Sequence, residues 1–403
     1  MKILFTQETY KIRSNVNQQQ RLAEMLIRQG HEVRVIDNEI LKRSESKKSI
    51  VLRRRLINKG DKGQKDISAT VIYPGFIRIP LLNLFSSFIS HRREINRQIE
   101  EFKPEVIVGW SIINSYLAAN AAEKNNIPFV YYWIDVLHLL TPNRLLRSVG
   151  KIFAKNALKK STLVLTINGK LQDYVTSVGV SPDRTRVLRA GINLDQFNLA
   201  LSGIDVRKLY ELHTTNRVLL FIGGLHHFYR LDNVIQTLSK SLNKQLKLLI
   251  VGEGEAYDDL HVLRDRYRLG ERVIFTGKKE HSEIPRLIAA ADVCILPVNP
   301  SEPNLQHIIP MKMYEYMAMK KPVITTKLPG VVKEFGEGNG VVYVDEPKDV
   351  IQKAEEIFYS GYAALIRHGT VARKFVEKHS WERVSRDFET ALNNVIEGKV
   401  GAE

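Results

Sequence analysis

Short apolar runs alternate with longer amphipathic stretches from the first residues of the chain. The run Lys2–Thr6 is followed by Gln18–Gln29, where apolar side chains recur every three or four residues, and then by a second apolar run, Glu32–Ile36. That order predicts a strand, a helix and a second strand, with Gly30 suited to the left-handed position that ends a helix. Such a β-α-β unit is the usual opening of a Rossmann-like domain.

The same alternation continues and defines two series of strands. Further apolar runs that predict strands are Glu105–Gly109, Pro128–Tyr132 and Thr162–Ile167 in the first half, then Arg217–Ile222, Leu246–Val251, Arg272–Phe275, Asp292–Leu296 and Pro322–Thr326 in the second. A chain of 403 residues is too long for one ordinary core and fits two domains. We therefore predict an α/β protein with two parallel sheets, the second a separate sheet rather than an extension of the first.

Charge is distributed unevenly between the two halves. Residues 1–198 hold 32 Lys and Arg against 17 Asp and Glu, whereas residues 199–403 hold 28 against 27, so nearly all of the net charge of +16 is N-terminal. Such a basic excess favours an anionic membrane surface or a polyanion as partner, and generic solubilising charge is the alternative. No nucleic-acid-binding motif accompanies it, so we expect no nucleic-acid partner.

Two neighbouring segments of the basic half differ in character. Residues 42–66 are rich in Lys, Arg and Ser, which predicts an exposed or mobile excursion. Val71–Ser90 is apolar but contains Pro74, Gly75 and Arg78, which argues against a membrane-spanning helix. Its apolar side chains, flanked by arginines, either lie in a membrane interface or pack on the domain.

The absence of an obvious secretory leader and the single cysteine bear on location. The chain begins with an apolar strand pattern, and Cys294 lies in the apolar run Asp292–Leu296 with no partner for a disulfide and no metal-ligand spacing. Both features fit a reducing compartment. We expect a cytoplasmic protein whose basic half can lie at the inner face of the cell membrane.

A short helix is predicted between two prolines in the second half. Pro310 suits the first turn of a helix and Pro322 would interrupt one, so the helix spans about residues 311–319. Met313 lies on its apolar face, whereas Lys312 and Glu315, three residues apart, share another face. These two charged residues form either a solvated ion pair or part of a binding site.

The run PMKMYEYMAMKKPVITTKLPG around this helix resembles the signature segment of the retaining glycosyltransferases of family 4. Members of that family have a GT-B fold, in which two Rossmann-like domains face a cleft, and they use nucleotide-sugar donors. The resemblance implies that Glu315 accepts hydrogen bonds from the two ribose hydroxyls of the donor. An ionised carboxylate, with two acceptor oxygens, suits a cis-diol.

The resemblance also implies a phosphate-binding segment after the first strand of the second domain. Gly223 and Gly224 end that strand, and Gly224 stands where the family usually has an arginine. Arg230 resembles the lysine that neutralises the donor diphosphate, and His226 or His227 is a candidate to assist it. Gly224 thus leaves one expected phosphate cation where the family has two.

Three further donor-binding positions follow from the same likeness. The segment Phe275-Thr276-Gly277-Lys278 resembles the one whose backbone contacts the nucleotide base, so Gly277 and Lys278 are expected there, and Lys312 is expected beside the donor. His307 stands where the family often has a first glutamate near the hydroxyls of the donor sugar. That difference in charge leaves the sugar unidentified.

In the first domain, Asp135 and His138 follow a predicted strand, at the end where open α/β sheets bind ligands. In the family, an acidic residue or histidine near this point lies beside the transferred sugar, and we favour Asp135. The alternative for Asp135 is a helix N-cap.

The likeness extends over nearly the whole chain and divides it at residue 198. Residues 1–198 are expected to bind the acceptor and residues 199–379 the donor, with residues 380–403 as a terminal helix returning to the first domain. The implied activity is retaining transfer from a UDP- or GDP-sugar to a glycan or lipid-linked acceptor in cell-surface glycan synthesis, without a metal or other cofactor.

Other functions remain open at the level of sequence. A donor-binding subunit without activity would explain Gly224 and His307, and a nucleotide-sugar epimerase would share the fold. An NAD-linked oxidoreductase would need a fuller glycine fingerprint than Val251-Gly252-Glu253-Gly254 provides.

Overall fold

The structure, a computed structural model, describes residues 1–8, 18–38, 50–60, 68–79, 82–136, 144–302, 305–306 and 309–400. The chain divides into two compact units. The first comprises Met1–Ala190 together with the C-terminal segment from Glu382, and the second comprises Gly191–Trp381. The division at Ala190 lies close to the boundary expected near residue 198.

The first unit contains a sheet that is parallel except at one edge. Within the described residues its eight strands are β1 (Lys2–Thr6), β2 (Glu32–Ile36), β3 (Arg55–Gly60), β4 (Ser68–Tyr73), β5 (Val106–Gly109), β6 (Phe129–Trp133), β7 (Leu163–Thr166) and β8 (Thr185–Val187). They lie in the order β3-β4-β2-β1-β5-β6-β7-β8, and β3 pairs antiparallel with β4. The helices of this part of the chain are α1 (Gln18–Arg28), α2 (Leu82–Phe102), α3 (Ile113–Lys124), α4 (Arg144–Lys160) and α5 (Gly169–Ser177).

The second unit contains a fully parallel sheet. Its six strands in the described chain are β9 (Arg217–Ile222), β10 (Leu246–Val251), β11 (Val273–Phe275), β12 (Val293–Leu296), β13 (Val323–Thr326) and β14 (Val341–Val344), in the order β11-β10-β9-β12-β13-β14. The remaining helices are α6 (Ile204–Leu209), α7 (Leu231–Lys240), α8 (Tyr257–Arg266), α9 (Ile284–Ala290), α10 (Met311–Ala318), α11 (Pro329–Phe335), α12 (Val350–Tyr359), α13 (Tyr362–Val376) and α14 (Trp381–Ile396). Strand order reverses direction at β9, which places a crevice beside its carboxyl end.

The segment 42–66, predicted as an exposed or mobile excursion, contains an exposed edge strand that sequence reasoning missed. Arg55–Gly60 forms β3 and pairs antiparallel with β4 along its whole length, whereas residues 42–49 and 61–66 lie outside the described chain. The apolar stretch Val71–Ser90 likewise divides between the end of β4 and the start of α2. Sequence reasoning missed β3 because its charged, partly exposed residues give little apolar signal at a sheet edge.

A partly buried ion pair joins the segment before β3 to α2. Arg54 donates from Nε and Nη2 to the two carboxylate oxygens of Glu94, at 2.7 and 2.8 Å. Glu94 is buried, and its hydrogen bond and proximity to Arg54, aided by Gln98, outweigh burial and lower its pKa. Arg54 therefore has a structural role.

No helix in the parts of the chain that the structure describes is long and apolar enough to cross a membrane.

The terminal helix α14 completes the core of the first unit. The ring of Phe388 lies 6.3 Å from those of Phe5 and Trp110, measured between centroids, and all three side chains are buried. At its surface, Glu389 lies 2.8 Å from Nε2 of His31. The two ends of the chain therefore build one domain.

Candidate functional site

Three glycines form a close-packed backbone surface at the carboxyl ends of β9, β10 and β11. Gly223, Gly252 and Gly277 all have positive φ. Gly223 N–H donates to the carbonyl of Val251 at 2.9 Å, and Gly252 N–H donates to that of Gly277 at 3.0 Å. A Cβ at Gly252 would lie 1.9 Å from the carbonyl oxygen of Gly223, so only glycine fits. The predicted residues Gly223 and Gly277 thus lie at the ends of β9 and β11, on either side of β10.

Helix α10 is fixed beside this surface. Met313 and Tyr316 are fully buried, and the hydroxyl of Tyr316 accepts a hydrogen bond from Ile222 N–H at 2.8 Å, at the end of β9. Pro310 precedes the helix as expected. With that face buried, Lys312 and Glu315 are presented together on the remaining side.

The Lys312 amine lies against Gly223. Its Nζ is 3.1 Å from the hydroxyl of Tyr229 and lies 4.6 and 4.2 Å from the ring centroids of Phe221 and Tyr229. A Cβ at Gly223 would be 2.3 Å from Nζ, so the glycine makes room for the amine. Burial lowers the pKa of Lys312 to about 7, although nearby Glu315 opposes the shift. A bound anion would restore the positive charge.

Glu315 is held by a chain of two hydrogen bonds. Gln196 Nε2 lies 2.8 Å from Nδ1 of His281, and His281 Nε2 lies 3.1 Å from Oε1 of Glu315. With the amide assigned this way, Nδ1 must accept, so Nε2 carries the proton and donates to the carboxylate. Within the described residues no hydrogen bond is made to Oε2 of Glu315. One carboxylate oxygen is therefore positioned and the other is available to a ligand.

Arg230 is engaged with an acidic neighbour. It has left-handed backbone geometry, with φ of 48°, and its Nε and Nη2 atoms each lie 3.1 Å from a carboxylate oxygen of Asp232. Its assignment to the donor diphosphate stays a prediction, since a phosphate would have to compete with Asp232. Lys312, which was expected only beside the donor, is the residue whose amine lies at Gly223.

The other predicted donor residues are less informative. Gly224 is exposed and adjoins His226, whose Nε2 would be 2.8 Å from a Cβ at that position, and Lys278 is exposed beyond Gly277. His138 and His307 lie outside the described residues. Their roles stay predictions.

In the first unit, acidic side chains follow several strands at the same edge of the sheet. Glu8 accepts a hydrogen bond from Asn114 N–H at 2.6 Å, and burial raises its pKa to about 7, with Asp37 adding to the shift. Asp135 accepts one from Val136 N–H at 2.6 Å, and burial raises its pKa as well. The residues that would settle whether Asp135 caps a helix fall outside the described chain, so that alternative stays open.

Sequence reasoning missed Glu8, His281 and Gln196. For Glu8 a signal was present, since an acid two residues after a buried parallel strand lies at the ligand-binding edge. His281 and Gln196 belong to no motif, and only the folded chain brings them to Glu315.

Comparisons with known proteins bear on the family and the fold. The family model described as glycosyl transferases group 1 matches residues 216–359, and the model described as glycosyltransferase family 4 matches residues 17–196. An uncharacterized glycosyltransferase of Methanocaldococcus jannaschii is 27% identical over 237 residues, which are 57% of this chain and 59% of that protein. The putative teichuronic acid biosynthesis glycosyltransferase TuaC of Bacillus subtilis is 25% identical, over 75% of this chain and 73% of its own.

Solved structures resemble the whole chain. Anabaena Alr3699/HepE in complex with UDP matches with a TM-score of 0.74 at 18% identity, covering 98% of this chain and 100% of its own. A glycosyltransferase from Rickettsia africae matches with a TM-score of 0.75, also at 18% identity, covering 98% of both chains. At this identity the likeness shows the fold, which is GT-B.

Proposed function

Because this chain belongs to the group 1 glycosyltransferases and has their GT-B fold, we propose that it transfers a sugar from a UDP- or GDP-sugar to a glycan or lipid-linked acceptor, with retention of anomeric configuration and without a metal. The observation that carries the donor assignment is the placement of Lys312 and Glu315 on one face of α10, beside Gly223. The pair provides a cation for a diphosphate and a carboxylate for a ribose within one helical turn.

Each group has a separate task in donor binding. Oε2 of Glu315 would accept from ribose hydroxyls while Oε1 stays on His281. Lys312, against the glycine at the end of β9, would bind the diphosphate at the close-packed backbone of Gly223 and Gly252. Glycine suits this position because it lets a phosphate approach the backbone.

The reaction follows from stabilisation of the departing diphosphate. The bond between the anomeric carbon and the phosphate oxygen breaks, and an acceptor oxygen forms its bond on the same face of the sugar. The acceptor proton passes to the departing phosphate oxygen, and we name no protein nucleophile. Lys312 would neutralise the charge that develops on the diphosphate. Arg230 is proposed as a second cation, and Asp135 as a contact of the transferred sugar.

The relatives support a role in cell-surface glycans. TuaC is named for teichuronic acid biosynthesis, another relative for colanic acid biosynthesis, and a structural neighbour is a lipopolysaccharide outer core galactosyltransferase. Anabaena HepE has been solved with UDP-glucose, which supports a nucleotide-sugar donor. A donor-binding subunit without activity is the second candidate, favoured by Gly224 in place of the usual arginine.

A panel of UDP-, GDP- and ADP-sugars tests the proposal on the purified protein. We expect one donor to raise the melting temperature and to release its nucleoside diphosphate, with membrane extract as the source of acceptor. Stabilisation without release would support the binding subunit, and conversion of the sugar while still attached to the nucleotide would support an epimerase. No response to any donor would overturn the donor site.

Replacing His281 with alanine tests how Glu315 is positioned. We expect donor affinity to fall about fivefold, the scale of one net hydrogen bond of about 1 kcal/mol, because Glu315 would lose its orienting donor. The KM for donor should rise while kcat changes little. His281→Gln, which keeps an N–H donor, should recover part of the affinity, and the exposed His213→Ala is the matched control. Equal losses in both alanine variants would contradict a positioning role.

A further inference from the structure

An exposed apolar face lies at the start of α2, away from the sites described above. Leu82, Phe85 and Ile89 are 49%, 71% and 47% exposed, and their spacing of three and four residues places them on one side of the helix. The next turn on that side carries Arg92 and Arg93, both exposed. The helix therefore presents an apolar end followed by a cationic turn.

The segment before β3 extends this face. Arg78 N–H donates to the carbonyl of Ile50 at 2.8 Å, and Leu52 N–H donates to that of Phe76 at 2.9 Å. Ile77 N–H in turn bonds the hydroxyl of Ser86 on α2, at 3.0 Å. These bonds hold residues 50–52 against residues 76–79, and the latter against α2. The exposed apolar side chains of these two segments are Ile50, Val51 and Ile79.

The extended face is also held rigidly to the core. Val51 and Ile77 pair as an isolated antiparallel bridge, and the partly buried Arg54–Glu94 pair joins the same segment to α2. We name as the apolar patch the residues Ile50, Val51, Ile79, Leu82, Phe85 and Ile89.

Charge decides which partner fits the apolar patch. Exposed Arg53 lies in the segment that carries Ile50 and Val51, Arg92 and Arg93 follow Ile89, and the N-terminal half holds nearly all of the net positive charge. A second copy of the chain would bring the same cations against these, and like charges repel. An anionic bilayer meets both requirements, because apolar side chains enter its interface while arginines remain at the phosphate level.

We propose that the apolar patch and its arginines dock the protein on an anionic lipid bilayer, with Phe85 inserted below the headgroups. The inference rests on the proposed function, since it brings the enzyme to the surface where a lipid-linked acceptor resides. Arg54 takes no part in lipid binding, because Glu94 holds its guanidinium.

Flotation of the full chain with vesicles tests the proposal, using phosphatidylglycerol mixed with phosphatidylcholine against phosphatidylcholine alone. We expect binding to the anionic vesicles that weakens with salt. Arg92→Gln with Arg93→Gln should lower partitioning roughly 30-fold at low salt, since each cation contributes about 1 kcal/mol at an anionic surface. Phe85→Glu with Ile89→Glu should lower it at every salt concentration.

Tyr359→Glu is the matched control, because this aromatic side chain is 95% exposed in the second unit. A Phe85→Trp variant should show blue-shifted fluorescence on vesicles, which reports insertion. Unchanged binding by the Phe85→Glu/Ile89→Glu variant, or an equal loss in the control, would overturn the proposal. The proposal would also be overturned if the protein did not bind vesicles and instead formed a dimer that this double variant dissociates. Nucleotide-sugar stabilisation should persist in the double variant, so failure here is separable from failure of the donor site.

Discussion

Replacing Glu315 with alanine should weaken donor binding by about 2 kcal/mol, or roughly thirtyfold, the scale for removing one partner of a partly buried charged hydrogen bond. The reason is that Oε2 is the oxygen available to the ribose, while His281 holds Oε1. Isothermal titration with the donor identified by the panel would measure the loss. Because the ribose contact is present in both the ground state and the transition state, the KM for donor should rise more than kcat falls.

Two further variants separate charge from general disruption. Glu315→Gln keeps one acceptor oxygen and the side-chain length, so its affinity should lie between those of the parent and the alanine variant. Glu356→Ala removes an exposed carboxylate from α12 in the same unit and should leave affinity unchanged. Full affinity in a folded Glu315→Ala protein would rule out the ribose contact.

Donor affinity should fall about tenfold as the pH rises from about 6 to about 8, because the free amine of Lys312 loses its proton near pH 7. Only the charged amine attracts the diphosphate, so affinity is highest below the pKa of the free protein and declines above it. Binding should therefore take up a proton, which calorimetry in buffers of different ionisation enthalpy would detect. A nucleotide sugar suits the test because each of its phosphates carries an ester and an anhydride linkage, so neither gains or loses a proton in this range.

Lys312→Arg provides the control for that titration. Arginine stays charged throughout, so the dependence on pH should disappear even if the larger side chain fits Gly223 less well. Lys312→Met should bind weakly at every pH. A pH dependence that survives in the arginine variant would come from another group and would contradict this role for Lys312.

Most of the fold could be predicted from the hydrophobic pattern because parallel strands buried on both faces are continuous apolar runs. Residues Lys2–Thr6, Glu32–Ile36, Arg217–Ile222 and Leu246–Val251 form strands that begin and end as predicted. The hydrophobic pattern does not predict the edge strand β3, where Leu56 and Ile57 are exposed and charged residues flank them in the sequence. An edge strand has only one neighbour to satisfy, so its sequence is less constrained.

The candidate site was predictable only where one helix carries it. Lys312 and Glu315 are three residues apart, so local geometry alone places them on one face. The contacts that give them their chemistry come from distant parts of the chain, namely Tyr229 and Gly223 for Lys312 and His281 for Glu315. For Arg230, the acidic neighbour Asp232 is visible in the sequence, but only the structure shows that two atoms of the guanidinium pair with its carboxylate.

The discontinuous first unit has a consequence for the order in which the protein is made. Residues 191–381 are a continuous stretch and can complete their core as soon as they leave the ribosome, whereas the first unit must wait for α14, which is synthesised after the whole of the second unit. Until then the place of Phe388 beside Phe5 and Trp110 is an exposed apolar surface on a nascent chain. A stop codon placed just before α14 would leave that surface permanently open, and a chaperone would be its natural first partner.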